Sequence, residues 1–178
     1  MRIISGTYKG RAIHPPKNLQ ARPTTDFAKE NLFNVLNNQI DFEEVDALDL
    51  FSGTGSISYE LASRGARSVT SVEINTLHYE FIRHTAIQLG FKNFYAVKAN
   101  VFLYLKACHK QFDLIFSDAP YDLKGSDQVV DQVLNGGLLR AGGILIFEHS
   151  AQQDFSQHAH FWQLRKYGSV HFSLFKID

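Results

Sequence analysis

The chain of 178 residues is 44% hydrophobic and 20% charged, the composition of one globular domain, long enough to bury a sizeable core and too short to split into two. Its one cysteine, Cys108, excludes an intramolecular disulfide, and with no apolar run of membrane-spanning length and no signal-peptide pattern, the expected location is the cytoplasm. The formal net charge of +0 excludes a uniformly basic nucleic-acid binder, yet Arg2, Lys9, Arg11, Lys17 and Arg22 all precede the first acid, Asp26, the polarity of a segment that grips phosphates.

Residues Arg2 to Ile13 read as two short strands around Gly6-Thr7, followed by an irregular connection through Pro15-Pro16 and Arg22-Pro23. Thr24-Thr25-Asp26 then offers capping oxygens to a helix whose apolar face is Ala28, Leu32, Val35 and Leu36. From Val45 onward, buried strands alternate with helices, the pattern of a parallel sheet covered on both faces. The expected strands are Val45 to Phe51, Ser68 to Glu73, Phe94 to Lys98, Phe112 to Ser117 and Ile144 to Glu148, the last entered through Gly142-Gly143. Helices are expected from Ser56 to Arg64, from Asn75 to Gly90, from Val101 to Cys108 and from Gln128 to Leu134. Lys166 to Ile177 closes the chain as a hairpin turning at Gly168-Ser169. Phe161 and Trp162 are expected in the core. This is an α/β, Rossmann-like, doubly wound and mostly parallel sheet, with an antiparallel C-terminal edge and an N-terminal hairpin-plus-helix extension.

Asp49-Leu50-Phe51-Ser52-Gly53-Thr54-Gly55 lies at the carboxyl end of the first strand, where such sheets bind ligands. Gly53 and Gly55 let the backbone turn sharply and approach a ligand, although a tight turn alone also needs them. Glu73 ends the second strand about twenty residues on, where a Rossmann acid accepts hydrogen bonds from ribose hydroxyls. Asn100, after the third strand, can pair with an adenine edge or cap a helix. The fourth strand runs into Asp118-Ala119-Pro120-Tyr121. An exocyclic base amine is a poor nucleophile because its lone pair is delocalised into the ring. A carboxylate from Asp118 and a carbonyl from Ala119 or Pro120 favour its rehybridisation as a methyl arrives, and Tyr121 offers a stacking face for an extruded base. His158-Ala159-His160 stands without an acid or cysteine set at metal-site spacing, so no metal is expected.

These segments together resemble the RsmD family, the bacterial guanine-N2 methyltransferases of small-subunit (16S) ribosomal RNA. The resemblance spans nearly the whole chain: Met1 to Gly6 with Lys9-Gly10-Arg11, Arg22 to Asp26, Asp49 to Gly55, Phe112 to Phe116 before Asp118, Glu148-His149, and Arg165 to Gly168. It implies S-adenosyl-L-methionine as cofactor, contacted by Thr25, Phe51, Gly53, Gly55, Glu73, Asn100 and Asp118. Their neighbours Asp49, Ser52, Thr54, Ile74 and Val101 complete the candidate set. It further implies ribosomal RNA, or the assembling small subunit, as partner of the basic N-terminal residues. On this reading residues 1–178 form one methyltransferase domain, expected to be monomeric, with 1–40 contacting RNA and covering the cofactor and 41–178 as core. The family's Asp-Pro-Pro-Tyr is Asp-Ala-Pro-Tyr here, and its acid after the third strand is Asn100. The competing readings are a DNA or RNA adenine-N6 methyltransferase, which could use the same loop, a protein glutamine methyltransferase, which typically begins that loop with Asn, and a noncatalytic RNA-binding assembly factor.

Overall fold

A computed structural model describes residues 1–19 and 24–178. Seven strands form one sheet: β1 (Asp46–Leu50), β2 (Ser68–Glu73), β3 (Phe94–Lys98), β4 (Phe112–Ser117), β5 (Leu139–His149), β6 (Phe161–Tyr167) and β7 (Val170–Lys176). Their spatial order is β3-β2-β1-β4-β5-β7-β6, with β1 to β5 parallel and β7 antiparallel to both its neighbours. The crossover helices are α2 (Ser56–Ser63), α3 (Thr76–Gln88), α4 (Val101–Ala107) and α5 (Gln128–Asn135), and α1 (Asp26–Leu36) precedes the sheet. Strand order reverses between β1 and β4, and the crevice outside their carboxyl ends is where this topology places a ligand.

Strand alternation divides the core in two. Ala47, Leu114, Phe116, Ile144 and Ile146 face α1 and α2, while Leu48, Ile115, Leu145 and Phe147 face α4 and α5. Helix α1 starts where expected because the Thr25 hydroxyl accepts from the Ala28 N–H (3.2 Å). It buries Ala28, Leu32, Phe33 and Leu36 against the first cluster. At the opposite, amino end of the sheet, Arg67 and Arg140 clasp Asp46 and Asp113. Their guanidinium groups, Arg67 above all, hold Asp46 well below the usual carboxylate range.

Three expectations change. The N-terminal strands reduce to one bridge, Arg2 with Ala12, flanked by Ile3–Arg11 and Ile13–Met1 backbone bonds, because Thr7 and Tyr8 bond to Ser63 of α2 and residues 6–11 close in turns instead of extending the ladder. Strand β5 begins at Leu139, five residues early, and its register with β4 slips between Leu139 and Ile144, a bulge that holds the Gly142-Gly143 through which the strand was expected to be entered. Phe161 and Trp162 are both only half-buried on the outer strand β6, and the Lys176 ammonium lies 3.6 Å from the Trp162 ring centroid.

The docking of the N-terminal segment is polar. Glu60 on α2, fully buried, accepts from the Ile4 and Ser5 N–H groups (2.7 and 3.0 Å) and from Arg64 Nε (2.8 Å). Lys29 Nζ donates to the Arg2 carbonyl (2.6 Å) and Ser56 Oγ (3.0 Å). Burial pushes the Lys29 ammonium below its ordinary pKa, opposed by Glu60 and Asp26. Gly6 makes the approach possible: with φ at +82°, a Cβ there would sit 1.8 Å from the Ser63 carbonyl oxygen. These bonds hold residues 1–13 against the helix that leaves the glycine turn.

Candidate active site

The β1–α2 turn is built by two constraints on the backbone. Phe51, Gly53 and Gly55 all adopt positive φ, of 58°, 56° and 86°. For Phe51 this costs on the order of 1 kcal/mol, and strain of this kind gathers at functional turns. At Gly55, the N-cap of α2, a Cβ would also lie 2.7 Å from the Tyr59 ring. Ser52 Oγ closes the turn by donating to the Asp49 carbonyl (2.8 Å).

Glu73 ties the turn to β2. Its Oε2 accepts from the Gly53 N–H and its Oε1 from the Asn75 N–H, both at 2.8 Å. The carboxylate is therefore fixed in orientation at the strand end, with an exposed Ile74 beside it. Asp49 sits behind the turn, fully buried, and accepts from Ser58 Oγ (2.5 Å). Burial pushes its carboxyl up to about 7, with the Ser58 bond opposing. A carboxyl raised in the folded state contributes stability that is full below the unfolded value of 3.8 and is lost as pH rises through about 7. Asp49→Asn is expected to keep the acceptor for Ser58 and remove this loss, so thermal unfolding from pH 5 to 8 should fall more for the parent than for the variant.

Asn100 is the N-cap of α4, its Oδ1 accepting from the Leu103 N–H (3.2 Å), and Val101 behind it is buried. Its acceptor is thus engaged by the helix, and Nδ2 is the atom it offers to a ligand. On the other side of the switch point, the Asp118 N–H donates to the Leu50 carbonyl (3.4 Å), which draws the Asp118-Ala119-Pro120-Tyr121 loop toward the glycine turn. Pro120 and Tyr121 are exposed and Ala119 is buried. The Pro120 carbonyl accepts from the Leu123 N–H (2.9 Å), so of the two carbonyls considered the one not spent in this turn is that of Ala119.

A cleft of about 40 Å³ is lined by Thr24, Asp49, Phe51, Ser52, Gly53, Thr54, Ser56, Ile57, Phe116 and Asp118. It brings together the turn after β1 and the acid after β4, residues more than sixty positions apart. Space of this size takes a few water molecules at most, so a nucleoside would lie mostly on the open strand ends beside Glu73 and Ile74. Thr25, a candidate cofactor contact, is exposed and caps α1, and its neighbour Thr24 lines the cleft. A larger groove, about 340 Å³, lies elsewhere, between α1 and β6; it contains no acid, and its amides and aromatic rings offer no acid-base pair.

Arg2, Lys9, Arg11 and Lys17 are all exposed, and Arg2 stands 4.0 Å from Asp26. Arg22 lies outside the described residues. Among the described residues no group of three His, Cys, Asp or Glu is arranged to hold a metal, and no helix is long and apolar enough to cross a membrane. His158 instead contacts Asp131 (3.3 Å) and packs against His160. Sequence reasoning assigned no role to Glu148, which is buried at the end of β5 and bonded to both Thr24 and Tyr121. The available signal was an acid at a strand's carboxyl end.

The sheet order and the strand-end site define the Rossmann-like fold of S-adenosylmethionine-dependent methyltransferases. A hypothetical protein of Thermus thermophilus shares it with a TM-score of 0.86 at 24% identity, over 99% of both chains. So does a T. thermophilus 16S rRNA N2 G1207 methyltransferase (RsmC), solved with AdoMet and guanosine, with a TM-score of 0.69 at 20% identity over 87% of this chain and 44% of that one. The family model described as conserved hypothetical protein 95 matches residues 1–176, and the chain belongs to that family, the RsmD family that its motifs resemble. A curated relative, the ribosomal RNA small subunit methyltransferase D of Buchnera aphidicola subsp. Baizongia pistaciae, is 32% identical over 148 residues, covering 83% of this chain and 75% of the relative.

Proposed function

We propose that this chain transfers a methyl group from S-adenosyl-L-methionine to the exocyclic N2 amine of a guanine in small-subunit ribosomal RNA. The observation that carries the reading is the cleft lined by both the Phe51 to Thr54 turn and Asp118, since a methyl donor and an acceptor amine must meet there. The 32% identical relative, a ribosomal RNA small subunit methyltransferase D, supports RNA as the target, and the resemblance to the family's motifs supports guanine.

The residues present fit such a cofactor. Glu73, already oriented by Gly53 and Asn75, accepts from the ribose hydroxyls. The exposed Ile74 gives the adenine an apolar surface, and Asn100 Nδ2 donates to an adenine ring nitrogen. The glycine turn lets backbone approach the amino-acid end. When bound, S-adenosylmethionine supplies an electrophilic methyl group carried on a sulfonium. Asp118 and the Ala119 carbonyl would accept hydrogen bonds from the two N–H groups of the target amine, which localises its lone pair for attack; the one proton lost once the methyl is on nitrogen would pass to the Asp118 carboxylate and on to solvent, and Tyr121 would stack on the extruded base. Because turn, loop and N-terminal segment all come from one chain, we take the monomer as the active species. Residues 1–178 act as one domain in which 1–40 contact RNA and cover the cofactor.

Mass-spectrometric mapping of ribosomal RNA from cells with and without the gene tests the whole reading. One site should lose an N2-methylguanine; a complete methylation pattern in the deletion strain would refute it. Glu73→Ala is expected to weaken S-adenosylhomocysteine binding by about 1.5–3 kcal/mol in calorimetry, the value of hydrogen bonds to a charged acceptor. Replacing Lys9, Arg11 and Lys17 by Gln should lower the slope of log affinity for RNA against log salt by about 0.7–0.9 for each phosphate that is no longer neutralised, with cofactor affinity unchanged.

A further inference from the structure

Glu148 does not line the cleft, yet it is bonded to Thr24, which does, and to Tyr121 of the loop that follows Asp118. Its carboxylate is buried, with 5% of its surface exposed. Oε2 accepts from the Thr24 hydroxyl (3.0 Å), and Oε1 from the Tyr121 hydroxyl (3.4 Å). Thr24 precedes the cap of α1 and lines the cleft. Tyr121, with 43% of its surface exposed, ends the loop after β4. The sheet explains the placement. Ser117 pairs with Phe147 across β4 and β5, so extending the register by one residue sets Asp118 beside Glu148. Both share the parity of Phe116 and Ile146, which pack into the cluster under α1.

A buried carboxylate is costly unless its acceptors are used, and here two hydroxyls from segments almost a hundred residues apart use them. Each bond also acts at the site: one holds the hydroxyl of the exposed Tyr121 ring, and the other holds the residue that precedes the cap of α1.

Building on the function proposed above, we propose that Glu148 is a positioning residue for methyl transfer: it orients the Tyr121 ring for the target base and fastens Thr24 at the wall of the cleft. The hydroxyl of Tyr121 therefore acts through Glu148, separately from the stacking surface of its ring.

Tyr121→Phe is the decisive variant, because it keeps the ring and deletes the hydroxyl that bonds to Glu148, at an exposed position. We expect KM for RNA to rise about fivefold, the size of one net hydrogen bond, with kcat changed less. Glu148→Ala should show the same rise in KM and weaker S-adenosylhomocysteine binding as well, because it also frees Thr24. In the double variant the KM effects should fail to add, since both substitutions remove one interaction. Glu148→Gln keeps an acceptor and should restore most of the cofactor affinity lost in Glu148→Ala. Parental KM in Tyr121→Phe, or additive KM effects in the double variant, would overturn the positioning role while leaving methyl transfer intact. A parent chain that binds the cofactor and methylates no RNA would instead defeat the functional reading on which the proposal rests.

Discussion

Asp118→Ala is expected to slow single-turnover methylation of RNA by about 10²–10³, the usual loss when one preorganised electrostatic partner is removed. RNA affinity should stay close to that of the parent, because the interaction strengthens only as charge develops on the amine. The side chain is half-exposed at the end of β4, so its removal leaves no cavity in the core. Asp118→Asn separates two contributions. It retains an acceptor oxygen but not the negative charge facing the positive charge passed to the amine, and its rate should fall between parent and alanine variant. Full activity in Asp118→Ala would remove this carboxylate from the mechanism. An inactive parent with intact RNA binding would favour a noncatalytic assembly factor. Ala119→Pro restores the family loop. If the carbonyl at 119 is what the reaction uses, the fixed φ of proline should leave the rate equal or higher, because the Ala119 N–H is not required.

The second large effect is on stability. Glu60→Ala should destabilise the fold by about 3–5 kcal/mol, the cost of removing one partner from a buried charged network. For a chain of this size that corresponds to a fall in melting temperature of roughly 10 °C. The alanine leaves Lys29, with 1% of its side chain exposed, and Arg64, with 7%, without their shared carboxylate. It also orphans the Ile4 and Ser5 N–H groups. Hydrogen exchange at these two amides gives a local readout: their protection should drop well beyond the change in the sheet. Equal loss everywhere would mean that Glu60 stabilises the domain without specifically docking residues 1–13. Glu60→Gln keeps one acceptor and should lose less than alanine.

The two predictions differ in how far sequence alone could have led to them. Asp118 was legible because a buried apolar run ends and an acid, a proline and a tyrosine follow at once, all information held within ten residues. The same holds for the β1 to β4 elements, for the threonine cap of α1, for the glycine turn with Glu73 about twenty residues on, and for the hairpin turn at Gly168-Ser169. Period and turn chemistry are local, and a parallel sheet fed by short crossovers leaves few topologies to choose from. Glu60, by contrast, lies on a helix whose apolar pattern says nothing about two N–H groups fifty-five residues upstream. Only the close approach permitted at Gly6 reveals them. Tertiary contacts also settled matters the sequence left open. They engaged the Asn100 oxygen in a cap and turned the Pro120 carbonyl toward Leu123. They stretched β5 back across a glycine bulge and left Trp162 at the sheet's outer edge. Above all, they set Glu148 between Thr24 and Tyr121, residues joined through one carboxylate by the register of neighbouring strands. The sequence determined which elements form and where their ends carry chemistry, because hydrophobic period and capping act over a few residues. The tertiary structure decided which buried polar groups satisfy one another, because in a low-dielectric interior each must find a partner wherever the packed sheet brings one within reach.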